Sequence, residues 1–261
     1  MLKKRLIGVV TVKNGWAVQS FGYGRYMPLG KPECLVENLD RWGADEILVQ
    51  VIDRSLNDLG PDFELLVRLG AMGLETPLIY AGGIRSVEDG VKLVQSGADR
   101  IVIDSLLHDN LQTVRGLGAQ LGAQALIASL PLSIEDGSLA WLDHRTRKSS
   151  EIAQEVLVII RSGVLSEVFV ADWQNEGMPA GFEHQLLELF PLKDVPLIAF
   201  GGISEQAQMR KLMLSNAVAA VAVGNFLSYR EHAIQEYKKA LIEMPVRLAT
   251  YKSTYPLISD A

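Results

Sequence analysis

Eight short apolar runs, rich in β-branched residues, alternate along the chain with helix-like segments, and this alternation limits the fold more than any other feature. The runs are LIGVVTV, EILVQVI, PLIYAGG, RIVIDS, ALIASL, EVFVAD, PLIAFGG and AVAAVAVG. Each is nearly continuous in hydrophobicity, as expected for parallel strands covered on both faces. Helical patterns lie between them, from PECLVENLDRWG and DFELLVRLGAMG to SSEIAQEVLVIIRSG and EHAIQEYKKALIEM. Ser86 and Ser204 are placed to cap two of these, and several end in Gly. Eight βα units in about 250 residues predict an α/β chain folded as a single (β/α)8 TIM barrel. The competing arrangement is a doubly wound open sheet, which more often carries a Gly-rich dinucleotide turn after its first strand. LIGVVTV is followed by no such turn.

The chain also repeats itself. PLIYAGGIRS in its first part and PLIAFGGISE in its second sit at the same element, each after a matching strand-like run. The separation is half a barrel, far longer than a solenoid repeat. Residues 1–261 therefore read as one barrel made of two half-barrels, about 1–121 and 122–245, with a C-terminal tail over 246–261.

A formal net charge of −6 argues against nucleic acid as the main partner, and no polybasic run marks a membrane surface. No apolar stretch approaches the roughly 20 residues that a membrane helix needs. The start MLKKRLIGVVTV has charge before an apolar run, like a signal peptide. That run is too short, and no small-residue cleavage site follows, so a cytoplasmic protein is expected. The lone Cys34 falls in a helical pattern and is read as a small packed hydrophobe.

In such a barrel, ligands bind at the C-terminal ends of the strands. Gly82-Gly83 and Gly201-Gly202 end the third and seventh runs. Asp104-Ser105 and Gly224-Asn225 end the fourth and eighth. Small residues allow close approach to backbone N–H groups, and a following helix start favours an anion. Two phosphate cradles across one mouth are predicted, although Asp104 sets a negative charge beside one of them. The plainer reading is that these glycines only turn the chain. Lys13 is a candidate to pair with an anion or polarise a carbonyl, or else a solvated lysine. Asp172 is a candidate general base, or else a loop cap. Asp53, Arg54, Ser129 and Glu176 are further polar residues at strand ends. His108, His144, His184 and His232 fall in loops or helices, and no pair has metal-ligand spacing, so no metal site is expected; no cofactor is expected either. At the opposite end, Arg5, Glu46, Arg100 and Glu167 open four of the runs. They are either solvated loop charges or an ion-paired ring closing the barrel bottom.

The half-barrel duplication, the start MLKKRLIG, the paired glycines and the box GADRI resemble, over essentially the whole chain, the cyclase subunit of imidazole glycerol phosphate synthase. The resemblance implies a barrel that holds a two-phosphate substrate, with a glutaminase subunit docked on the N-terminal face and ammonia passing up the barrel. It implies a salt-bridged gate of an Arg, two Glu and a Lys, matched here by Arg5, Glu46, Glu167 and Arg100. Arg for Lys keeps the charge but not the geometry. Two aspartates act as acid and base in the family. Their positions hold Thr11, within Val10-Thr11-Val12-Lys13-Asn14, and Pro131, within Leu130-Pro131. Neither replacement does acid–base work, and each such group is worth roughly 10²–10⁴-fold. The loop after the sixth run, Asp172-Trp173-Gln174-Asn175-Glu176-Gly177, also departs from the family's Ser-Ile-Asp-Arg-Asp-Gly. An ammonia entrance kept beside cyclising residues replaced resembles the divergent paralogues of surface-polysaccharide gene clusters. Those are similar to partners of a glutaminase and a third amidotransferase subunit, which form an acetamidino group on a nucleotide-linked sugar. The alternatives are a cyclase with a rearranged acid–base pair and a non-catalytic ammonia channel or scaffold.

Overall fold

The structure is a computed structural model that describes residues 3–228 and 232–249. Its frame is a closed ring of eight parallel strands: β1 (Arg5–Lys13), β4 (Glu46–Val51), β5 (Leu78–Ala81), β6 (Arg100–Ile103), β7 (Leu126–Glu135), β10 (Glu167–Asp172), β11 (Leu197–Phe200) and β12 (Val218–Val223). β12 pairs with β1 and β7 with β10, which closes the ring. The fold is the expected (β/α)8 barrel.

Alternate residues of each strand face opposite sides. One set, including Ile7, Val9, Leu48, Val102, Phe169, Ile198 and Phe200, forms a buried cluster enclosed by the ring. The other set, including Leu6, Val10, Ile47, Val168 and Val170, packs beneath the helices. Burial on both faces explains the unbroken apolar runs. The covering helices are α1 (Pro32–Arg41), α2 (Phe63–Gly70), α3 (Val87–Gln95), α5 (Leu111–Leu121), α6 (Gln154–Arg161), α7 (Gln185–Leu189), α8 (Gln206–Leu214) and α9 (Ala233–Ala240), with a short α4 (Ser105–Asp109) after β6.

Two hairpins interrupt the expected alternation. β2 (Trp16–Phe21) and β3 (Arg25–Gly30) follow β1, while β8 (Ser138–Asp143) and β9 (Lys148–Ser150) follow β7. Each starts with a two-residue turn, Asn14-Gly15 or Asp136-Gly137, with positive φ at both positions. That is the type I′ geometry for which Asn-Gly and Asp-Gly are suited. Asn14-Gly15 thus begins a hairpin and is not simply a polar strand end. The segment SSEI is not helical either, because Ser149 and Ser150 belong to β9 and α6 starts at Gln154.

Ser86 caps α3 with a full capping box. Ser204 does not cap α8, whose N-cap is Glu205; its Oγ accepts instead from the Ala180 N–H. Cys34 is exposed and is not a packed core residue. Most of the expected tail, 246–261, lies outside the described residues. Among the described residues no helix is long and apolar enough to cross a membrane.

Candidate functional site

At the N-terminal end of the ring, the first inward residues of four strands meet. Arg5 ion-pairs with Glu46 at 3.1 Å and with Glu167. Arg100 pairs with Glu46 at 3.2 Å and with Glu167 at 2.6 Å. Arg100 also donates to the Gln124 carbonyl at 3.0 Å and to Ser166 Oγ at 2.9 Å. Two guanidinium groups and two carboxylates thus form one neutral, mostly buried ring. Burial raises the Glu46 carboxyl above its usual range, against the pull of Arg5 and Arg100.

At the other end lies a cavity of about 380 Å³, a size suited to a small ligand. It opens over the C-terminal ends of β4, β5, β6 and β7 and is roofed by both hairpins. Gly82, Gly83, Asp104 and Ser105, the residues of one expected cradle, all line it, as do Ser129 and Pro131. The other cradle is tighter. Gly201, Gly202, Gly224 and Asn225 line a space of about 10 Å³ beside Glu176, no larger than one water molecule. The Asn225 amide is engaged there: Oδ1 accepts from the Ser20 N–H at 3.1 Å and Nδ2 donates to the Ser20 carbonyl at 2.6 Å. The two cradles are therefore unequal, one open and one drawn shut by the first hairpin.

That hairpin enters the mouth at its tip. Tyr23 holds φ at +50°, a costly conformation for a bulky residue. Glu176 secures it: its carboxylate accepts from Ser20 Oγ at 2.9 Å and from the Tyr23 N–H at 3.2 Å, while its carbonyl accepts from the Gly22 N–H at 2.9 Å. Tyr26 Oη donates to the Tyr23 carbonyl at 2.6 Å. The Tyr23 hydroxyl then accepts from Gln50 Nε2 at 3.0 Å, inside the cavity wall. Burial pushes the Tyr23 phenol well above its ordinary pKa and keeps it neutral.

The two candidate catalytic residues do not line this cavity. Lys13 is partly exposed, with its ammonium 3.7 Å from the centroid of the Tyr26 ring. Asp172 follows the inward-facing Ala171 and so points to the helix layer. Its carboxylate accepts from the Glu183 N–H at 2.7 Å, Asn175 Nδ2 at 2.8 Å and the Asn175 N–H at 3.2 Å. Burial raises the carboxyl's pKa, and these donors oppose the rise. The geometry is that of a loop cap. Asp172→Ala is expected to cost about 2–3 kcal/mol by stranding buried donors, measured by urea unfolding. Thr11 is buried on the inner face of β1, directly across from Gln50. Asp53 accepts from the Asn14 N–H, and Arg54 donates to the Gly60 and Pro61 carbonyls; both shape loops. Trp173 does not line the cavity and stacks instead beneath Arg147.

His144 is the site residue that strand-end reasoning missed. The second hairpin folds it back over the mouth, where it joins the cavity lining with its Nδ1 3.6 Å from Asp104 Oδ1. Ser129 Oγ donates to the other Asp104 oxygen at 3.2 Å. The Asp136-Gly137 turn was the available signal, because a hairpin starting there returns its far strand to the strand end. Burial alone lowers the His144 pKa, but Asp104, aided by Asp143 and opposed by Arg145, leaves it above the ordinary histidine value. Among the described residues no group of three His, Cys, Asp or Glu is placed to hold a metal ion.

A family model described as histidine biosynthesis protein matches residues 5–233. A Vibrio vulnificus (strain YJ016) protein, provisionally named imidazole glycerol phosphate synthase subunit hisF2, is 27% identical over 236 residues, 89% of this chain and 86% of its own. Imidazole glycerol phosphate synthase subunit HisF of Natranaerobius thermophilus is 23% identical, over 95% of this chain and 99% of its own. The Thermococcus gammatolerans subunit HisF is 27% identical with the same coverage.

Proposed function

Because the chain belongs to the histidine biosynthesis protein family, we propose that it is the ammonia-receiving subunit of a glutamine amidotransferase complex, with its cyclase chemistry replaced. A glutaminase subunit docks on the N-terminal face, and a third amidotransferase subunit completes the assembly. The observation that carries this reading is a contrast between the two ends of one barrel. The four-residue ion-paired ring is intact at the bottom. At the mouth, Thr11 and Pro131 stand where the family's acid and base would be. Above the ring the interior is apolar and in part small, with Ala81, Ala171, Ala220 and Ala222. Such a lining suits neutral ammonia and disfavours ammonium, whose desolvation goes uncompensated there.

The substrate is a phosphorylated or nucleotide-linked sugar, and the product is an acetamidino sugar for surface polysaccharide. Gly82, Gly83 and Ser105 hold its anionic end, with Gly201, Gly202 and Gly224 available as a second contact when the hairpin lifts. The names of the relatives favour a second reading, a true cyclase with a rearranged acid–base pair.

One experiment separates the two. The chain is co-expressed with a glutaminase subunit and the third amidotransferase subunit, and supplied with glutamine and either the family's two-phosphate substrate or a UDP-linked acetamido sugar. A stable complex that forms no imidazole product but passes nitrogen to the sugar is the expected result. Imidazole formation at a cyclase-like rate would overturn it, and failure to bind any glutaminase would remove the ammonia route.

A further inference from the structure

The mouth cavity contains one carboxylate and one imidazole among its lining residues, and they are paired. Asp104 directly follows β6 and lines the cavity, one strand over from Pro131 on β7. His144 reaches Asp104 through Nδ1, so its Nε2 lies on the opposite edge of the ring, and the residue lines the cavity. Both side chains keep about a quarter of their surface exposed, 25% for His144 and 28% for Asp104. They are shielded enough for the pairing to matter and open enough for a ligand to reach. The groups that face His144 are Asp104 from the end of β6, Asp143 from β8 and Arg145 from the hairpin turn. Arg145 is itself held by Asp109 and Asp143. Arg147, on the same wall, has no carboxylate within ion-pairing distance among the described residues.

We propose that His144, positioned by Asp104, is the acid–base residue of this mouth, in place of the carboxylates replaced at Thr11 and Pro131. The substrate is an anionic sugar derivative with an oxygen-bearing trigonal carbon, its anionic end at Gly82, Gly83 and Ser105, with Arg147 adding positive charge to the same cavity. This rests on the ammonia-delivery reading above. Neutral ammonia adds to that carbon: a C–N bond forms and the C=O π pair moves to oxygen. His144 Nε2 takes a first proton from the nitrogen and passes it to the oxygen, giving a neutral C–OH; it then takes a second from the nitrogen and gives it to that hydroxyl, which leaves as water as the nitrogen lone pair closes the C=N bond. Ammonia and the carbonyl compound give the imine-type product and water, with no oxidant, no reductant and no net proton. Asp104 stabilises the transient imidazolium and fixes the tautomer, as a carboxylate beside a catalytic histidine does.

The test uses the full chain in two arms. In the first, NMR follows the four histidines, His144 being assigned by its loss in His144→Gln. Wild-type His144 should titrate above the ordinary histidine value, and Asp104→Asn should bring it down. The sign for stability follows. The pair stabilises the fold fully below about pH 6.5, and the contribution fades as pH rises through the raised value. Asp104→Asn should therefore destabilise the chain at pH 6 and have little effect at pH 9. A His144 titration that Asp104→Asn does not move overturns the proposal.

In the second arm, ammonium chloride supplies nitrogen to a UDP-linked acetamido sugar in the assembled complex. His144→Gln should lower kcat by about 10²–10⁴-fold with KM for ammonium unchanged. Added imidazole should partly restore His144→Ala. His144→Gln within twofold of wild type overturns the catalytic role. If the wild-type complex transfers no nitrogen, the ammonia-delivery reading has failed, and the catalytic role proposed for His144 falls with it. The Asp104–His144 pairing is then judged by the first arm alone.

Discussion

Glu167→Ala is expected to destabilise the chain by about 3 kcal/mol, because it leaves two guanidinium groups in the barrel floor sharing one carboxylate. In the intact ring, Glu167 faces Arg5 and Arg100 while Glu46 faces the same two cations, so the charges cancel. All four side chains are at most 18% exposed, which leaves solvent little room to screen the imbalance. For a chain of this size the loss corresponds to about 6–12 °C in Tm, readable by calorimetry. Arg100→Lys tests a milder point. One ammonium cannot reproduce contacts to Glu46, Glu167, Ser166 and the Gln124 carbonyl together, and about 1 kcal/mol should be lost with the charge kept. In the glutaminase complex, Glu167→Ala should also uncouple the two ends, so that more glutamine is hydrolysed per nitrogen transferred. An unchanged Tm for Glu167→Ala would mean that the ring is a set of separately solvated charges.

The eight barrel strands were legible because burial on both faces writes itself as an unbroken apolar run. The ring at the bottom was only half legible: Arg5, Glu46, Arg100 and Glu167 read either as solvated loop charges or as an ion-paired ring, and it is the closed barrel that brings the four together. The hairpins were not read, although Asn14-Gly15 and Asp136-Gly137 announce them. Their strands are short and partly polar, and Pro28 interrupts β3, so no apolar run marked them. Missing the hairpins left the roof of the mouth cavity unread. Without them, Lys13 and Asp172 were singled out from among the polar residues near the strand ends. With them, Tyr23, Tyr26 and His144 are carried over the mouth from outside the barrel strands. Asp172 misled for a different reason. Adjacent residues on a strand face opposite ways, and position alone did not separate a mouth residue from one that caps a loop behind it.

The paired glycines carry the larger stability prediction, and it separates turning from binding. Gly82 and Gly201 hold φ at +128° and +103°, conformations that side chains rarely adopt. A Cβ at Gly82 would fall within hard contact of the Val51 carbonyl oxygen and 3.1 Å from Val51 Cβ. At Gly201 it would meet Asp172 in the same way, so the two glycine pairs repeat the constraint atom for atom. The obstacle is the backbone of the neighbouring strand end, which cannot swing aside as a side chain can. Gly82→Ala and Gly201→Ala are each expected to cost about 4 kcal/mol, combining backbone strain with this overlap. Gly15→Ala and Gly122→Ala serve as controls. Their φ values are also positive, +76° and +81°, but a Cβ there would meet nothing within 4 Å. Strain alone should then cost about 1 kcal/mol. Urea midpoints measured without any ligand would give the comparison. Costs at Gly82 and Gly201 no larger than in the controls would mean that the strand ends can relax, and the case for these glycines would rest on ligand approach alone. Equal and large costs at the two positions would instead place the demand for glycine in the chain's own geometry, with the open mouth cavity built upon it.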